Sequence, residues 1–224
     1  MLVDRRVLAK IVDAAKIGKS ETVLEAGTGQ GILTAELCKV AKSVVSYEVD
    51  RELIQLAHAR LQFQNLELVN ADLFKTENLH FDVLASNLPY SRSRDAFEWL
   101  AAQKFGRAIV MVQEEFADKL AAKPGSKNYR AISALAAHCF AIEKLFSVGG
   151  GSFEPQPKVE SAVIRITPVN TVAKETVKSL NLLFSKRNKK ASTVAAKIGV
   201  KAYFGDKRID QLAADDLIPM AELM

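Results

Sequence analysis

Apolar residues over 4–17 recur at helical spacing, with Val7, Leu8, Ile11, Val12 and Ala15 on one stripe and Gly18 behind them. The pattern predicts an amphipathic opening helix that stops at the glycine. Residues 22–26 form a short apolar run bounded by a glycine turn, and a helical period resumes over 33–40, giving strand, glycine loop and helix. The alternation repeats in strand 43–47 with helix 51–63, in strand 66–69, in strand 81–86 with helix 94–103, and in strand 107–112 with helix 114–122. Strands and helices alternating at these lengths predict an α/β fold with a mostly parallel, doubly wound sheet covered on both faces. Past a loop at 123–126, a helical stretch at 131–138 leads into a strand at 140–147. Gly149, Gly150, Gly151, Pro155 and Pro157 then separate it from a strand at 161–167. That connection is too short for a crossover helix, so the last strand is expected to run antiparallel. Pro168 marks a change in composition, and 172–224 shows helical patterns without a strand. The expected organisation is a sheet domain over 1–168 and a small helical appendage over 169–224.

The chain has 224 residues, 49% of them hydrophobic and 25% charged, enough to bury a substantial core and unlike a disordered or collagenous chain. Apolar runs such as 108–112 are too short to cross a bilayer, and Asp4, Arg5 and Arg6 interrupt the place of a secretory apolar segment. A cytoplasmic protein without membrane contact is expected. Cys38 and Cys139 lack a CxxC partner or a nearby histidine at ligand spacing, and His58, His80 and His138 share no ligand spacing, so neither a disulfide nor a metal site is expected. The net charge of +5 is uneven: from Pro168 onward there are 10 Lys and Arg against 6 Asp and Glu. Lys186, Arg187, Lys189 and Lys190 lead that excess, a pattern suited to phosphate contacts with RNA.

Glu25, Gly27, Gly29 and Gly31 form E-x-G-x-G-x-G between the first strand and the following helix. Glycines there allow a tight turn and close approach of backbone to a ligand. A dinucleotide fingerprint has its third glycine one place later, where this chain has Ile32, so the spacing favours a nucleoside without a pyrophosphate. Glu48 ends the second strand, where a carboxylate can accept from both hydroxyls of a ribose, and Asp72 follows the third, placed to accept from an adenine amine. The fourth strand runs into Asn87-Leu88-Pro89-Tyr90. A nucleobase amine is a poor nucleophile because its lone pair is delocalised into the ring. The Asn87 side-chain oxygen and the Leu88 carbonyl offer two acceptors that hold its N–H groups, Pro89 stiffens the turn, and Tyr90 offers a ring for an extruded base.

These segments, with Glu48-Val49-Asp50, Asn70-Ala71-Asp72-Leu73, the run Phe153-Glu154-Pro155-Gln156-Pro157-Lys158-Val159 and the basic stretch from Leu183 to Lys190, resemble in order the ribosomal RNA adenine dimethyltransferase family over about 200 residues. The resemblance implies a Rossmann-like methyltransferase sheet, S-adenosylmethionine as donor, and N6 dimethylation of two adjacent adenosines near the 3′ end of small-subunit RNA during ribosome assembly. It implies donor contacts from Leu2, Glu25, Gly27, Gly29, Gly31, Glu48, Asp72 and Asn87. Gly27 would lie under the methionine part, Glu48 on the ribose, Asp72 on the adenine, and Asn87 between donor and target base. It also places Phe153 against the flipped adenine; a hydrophobic plug over the sheet end is the other reading of that residue. Ribosomal RNA within an immature small subunit is the expected partner of a monomer.

Departures from the family pattern modify these expectations. The chain opens Met1-Leu2-Val3-Asp4 where the family carries Gln-Asn-Phe-Leu, retaining only the Leu2 position, so weaker donor affinity is expected. After Tyr90 it reads Ser91-Arg92-Ser93-Arg94, placing two cations beside the expected target-base pocket, where they would clamp RNA phosphates or mark a different RNA site. The short appendage implies a reduced ribosome-reading surface. The alternatives are adenine methylation of large-subunit RNA, an RNA-binding assembly factor with little turnover and, less favoured by Asn-Leu-Pro-Tyr and the basic tail, a small-molecule methyltransferase.

Overall fold

The structure, a computed structural model, describes residues 2–77, 79–200 and 204–224. Helix α1 (Arg5–Ala15) begins where the Asp4 carboxylate accepts from the Arg6 N–H at 2.9 Å, and it buries Leu8, Ile11 and Ala15. Its stop differs from the glycine the sequence suggests. Lys16 takes the left-handed turn at φ 47°, and the Gly18 N–H is instead bound by the Glu21 carboxylate at 2.7 Å.

Strands β1 (Thr22–Ala26), β2 (Ser43–Tyr47), β3 (Leu66–Val69), β4 (Val83–Asn87), β5 (Arg107–Gln113), β6 (Phe140–Val148) and β7 (Ser161–Pro168) form one sheet. Their order is β3-β2-β1-β4-β5-β7-β6. The first five are parallel, with Leu24 beside Val45 on one side and Leu84 on the other. Strand β7 runs antiparallel to β5, from Ala108 opposite Ile166 to Gln113 opposite Ser161, as its short connection predicts. The order reverses between β1 and β4, where open sheets of this kind leave a crevice beyond their strand ends. Beneath it Val23, Val44, Val83, Ile109, Met111 and Val163 are inaccessible to solvent. Helices α2 (Ile32–Cys38) and α3 (Arg51–Arg60) return the chain between the first three strands.

The chain divides into two compact units. The sheet unit comprises 1–93, 104–114 and 142–167. The second unit gathers 94–103, 115–141 and 168–224. It contains α5 (Glu114–Leu120) from its second residue, α6 (Ala131–Cys139), α7 (Lys174–Ser185), α8 (Ala191–Lys197) and α9 (Ala214–Glu222), with all but the first residue of α4 (Ser93–Leu100). Helix α6 is apolar nearly all round and buries seven of its residues, so it needs cover on several faces, which α7 and α9 supply. The Tyr129 ring packs edge-on to Phe184, and its hydroxyl donates to the Leu212 carbonyl at 3.0 Å. Among the described residues no helix is long and apolar enough to cross a membrane.

Candidate active site

The strand ends of the sheet unit surround a cavity of about 390 Å³, lined by Gly27, Glu48, Asn87, Leu88 and Tyr90 among others. A smaller lobe of about 90 Å³ adjoins it, sharing Gly27, Glu48 and Pro89 and bounded by Asp72 and Arg92. The first volume lies in the range of small-molecule sites.

The glycine loop owes its course to two positions. Gly27 has φ +83° and donates its N–H to the Tyr47 carbonyl at 2.7 Å, folding the loop over the end of β2. Gly31 starts α2 at φ +79°, where a Cβ would lie 2.6 Å from a Leu61 methyl. A side chain at Gly31 would be strained by the backbone and blocked by Leu61.

Glu48 is 8% exposed, and both of its carboxylate oxygens are held by backbone. Oε2 accepts from the Gly29 N–H at 2.9 Å and Oε1 from the Asp50 N–H at 3.0 Å. Each oxygen keeps acceptor capacity for a hydroxyl in the crevice.

Glu25 has a different setting from Glu48. It is buried, and its Oε2 accepts from Thr34 Oγ1 and Ser46 Oγ, both at 2.6 Å. Since the Ser46 proton is used there, the 2.6 Å contact between Thr28 and Ser46 must be donated by Thr28. Thr28, Ser46, Thr34 and Glu25 thus tie the glycine loop to β1, β2 and α2. Ser46 sits directly beside Glu25 in the strand register, and a serine between Val45 and Tyr47 was the signal by which this network could have been anticipated.

Burial pushes the Glu25 carboxyl up to about 7 from its ordinary 4.5; the Ser46 and Thr34 hydrogen bonds oppose that rise and the charge of Glu48 adds to it. Between these values the folded protein holds the proton more tightly than the unfolded chain, so stability falls as pH rises through the window and levels off above it. Glu25→Gln removes the dependence. The variant is expected to gain about 1–3 kcal/mol on the parent between pH 5 and pH 8. Denaturant unfolding at several pH values measures this, and a difference that stays constant with pH would refute it.

Strand β4 delivers Asn87 to the crevice, and among the described residues its side-chain amide makes no hydrogen bond. Leu88 is buried, Pro89 has φ −56°, and the Tyr90 hydroxyl lies 2.6 Å from Ser161 Oγ, anchoring the ring to the start of β7. Phe153 lines the same cavity. It pairs with Leu2 in an antiparallel bridge, and the Val3 N–H donates to the Ser152 carbonyl at 2.9 Å. Leu2, one of the donor contacts the resemblance implies, is thereby built into the crevice wall.

The two arginines after Tyr90 separate. A 3₁₀ turn over Tyr90–Arg92 brings Arg92 to Asp72, at 3.0 and 3.1 Å from its two oxygens. Arg94 lies one step into α4 and binds Glu98 at 2.7 Å and Asn181 at 2.6 Å; it does not line the crevice. In the tail Lys186 and Lys189 are exposed, Arg187 is half-buried, and Lys190 pairs with Asp206 at 2.7 Å.

A nucleoside carrying an amino-acid arm fits this donor set. Gly27 and Gly29 provide a backbone cradle with no atom within 3.4 Å of where a Cβ would stand, and Glu48 presents immobilised acceptors beside it. Against known proteins, the family model for ribosomal RNA adenine dimethylases matches residues 1–215. The chain belongs to the ribosomal RNA adenine dimethylase family. Its relatives include the ribosomal RNA small subunit methyltransferase A of Thermotoga maritima, 32% identical over 232 residues that cover 99% of this chain and 81% of that protein. The probable ribosomal RNA small subunit methyltransferase A of Pyrococcus abyssi is 37% identical over 191 residues, covering 85% and 71%. Among solved structures, a dimethyladenosine transferase from Plasmodium falciparum superposes with a TM-score of 0.80 at 27% identity, covering 98% of this chain and 95% of that one. The sheet is therefore the Rossmann-like one of S-adenosylmethionine-dependent methyltransferases, and this dimethylase uses that donor.

Proposed function

We propose that this dimethylase transfers methyl groups from S-adenosylmethionine to N6 of adenosines in small-subunit ribosomal RNA, at two adjacent positions near the 3′ end. It acts as a cytoplasmic monomer on the immature subunit. The observation that carries the chemistry is the Asn87 amide, delivered by β4 to the cavity that also holds the glycine cradle. When bound, the donor supplies a methyl group on a sulfonium centre for in-line displacement. Asn87 Oδ1 and the Leu88 carbonyl accept the two N–H bonds of the target amine, which frees its lone pair and fixes its direction. Tyr90, pinned through Ser161, and Phe153, pinned through Leu2, hold the extruded base between rings. Glu48 takes the donor ribose and Asp72 its adenine. The methylated amine is acidic enough to lose its proton to water, so no side chain needs to serve as a strong base.

Lys186, Arg187, Lys189 and Lys190 supply phosphate contacts. The exposed Lys190–Asp206 pair exchanges readily for a phosphate because such surface pairs contribute little. The reading is tested by incubating the protein and labelled donor with purified immature small subunits and, separately, large subunits, then mapping methylated nucleotides by mass. Two dimethylated adenosines near the small-subunit 3′ end are expected. Methylation confined to the large subunit would move the substrate there, and tight RNA binding without methylation would make the protein an assembly factor.

A further inference from the structure

Arg92 stands in the nucleobase lobe of the crevice. One terminal nitrogen of its guanidinium lies 3.0 Å from Asp72 Oδ1 and 3.1 Å from Oδ2, so it straddles the carboxylate. The guanidinium carbon is 5.1 Å from the centre of the Phe74 ring, the side chain two places after Asp72. Asp72 Oδ1 also accepts from the Phe74 N–H at 3.1 Å. The Asp72 and Arg92 side chains are 17% and 31% exposed, and both bound the lobe that includes Tyr47, Glu48 and Val49. A residue serving only RNA phosphates would gain nothing from this position, inside the lobe and against the carboxylate expected to meet the donor's base.

We propose that Arg92 is a positioning residue of the donor subsite: it fixes the plane of the Asp72 carboxylate against an exocyclic amine and thereby sets the preference for a 6-aminopurine over a 6-oxopurine. The inference rests on the donor assignment made above. A carboxylate turns easily about its last torsion, and one backbone hydrogen bond to one oxygen leaves that torsion soft. A cation spanning both oxygens, itself seated on an aromatic face, stiffens it. Held in place, the acceptor oxygen binds an amine and repels a 6-oxo group, whereas a carboxylate free to swing aside discriminates weakly.

Titration calorimetry with S-adenosylhomocysteine and S-inosylhomocysteine tests this on the intact protein. Arg92→Met is expected to weaken S-adenosylhomocysteine about tenfold and to leave S-inosylhomocysteine nearly unchanged, narrowing the preference by the same factor. Lys75→Met is the control: that lysine is 83% exposed and 3.8 Å from Asp72, and its removal changes neither ligand. In an Asp72→Asn background Arg92→Met adds nothing, because its effect runs through the carboxylate. RNA affinity and its salt slope stay at the parental values in Arg92→Met.

Unchanged donor affinity with an RNA salt slope shallower by about one would make Arg92 a phosphate contact and overturn the inference. Tighter S-adenosylhomocysteine binding would make it a competitor for Asp72. An equal loss for both nucleosides, or additive losses with Asp72→Asn, would reduce it to general support. A parent protein that binds neither nucleoside would instead remove the donor assignment itself.

Discussion

Asn87→Ala lowers the rate of methyl transfer by about 10²–10³-fold at saturating donor while RNA affinity stays within about threefold of the parent, the pattern expected when an acceptor aimed at the reacting atom is removed. Asn87 closes β4, and its amide is engaged by no other described residue, so deleting it leaves no buried partner stranded and the strand keeps its register with β5 through Met111. Leu88 still offers one carbonyl. The target amine would then be held by one N–H instead of two, with its lone pair less available and its direction looser. Single-turnover methylation at saturating donor and subunit reads the chemical step directly. Parental rates in the variant would show that the amide has no part in the reaction.

Glu48→Gln is expected to weaken S-adenosylhomocysteine by about 1–3 kcal/mol, the cost of lost hydrogen bonds to a charged group, despite being nearly isosteric. The reason lies in the two backbone donors. Gly29 and Asp50 each present an N–H to a different carboxylate oxygen, so a glutamine, whichever way it turns, points its NH₂ at one of them. The variant loses the paired acceptors for a ribose and also loosens the glycine loop at Gly29. Calorimetry should find the loss in donor affinity, with RNA affinity unchanged. Equal donor affinity in parent and variant would remove Glu48 from the ribose site.

Much of the site was legible because strand ends are easy to locate. Short apolar runs closed by turn residues mark where β1 to β4 stop, and a parallel sheet then aligns Glu25, Glu48, Asp72 and Asn87 along one edge. The direction of β7 followed from the shortness of its connection alone. Features that depend on three-dimensional neighbours were not legible. Arg92 and Arg94 look equivalent in sequence, yet a single 3₁₀ turn ahead of α4 sends one to Asp72 and the other to Glu98 and Asn181. Helix α1 stops at Lys16, which takes the left-handed turn itself, while Gly18, the residue that looked like the terminator, gives its amide to Glu21. Leu2 meets Phe153 across most of the chain, a pairing no local pattern encodes. The grouping of α4, α5 and α6 with the tail likewise follows from the all-round apolar surface of α6.

The hydroxyl relay beneath the glycine loop bears on how the donor arrives. Thr28, Ser46 and Thr34 are satisfied by one another and by Glu25, so the protein's own hydrogen bonds fix the course of the loop and none of these hydroxyls needs the donor as a partner. Capture then resembles a key entering a cut lock: little chain entropy is surrendered on docking, and the strength of the embrace reflects the contacts themselves.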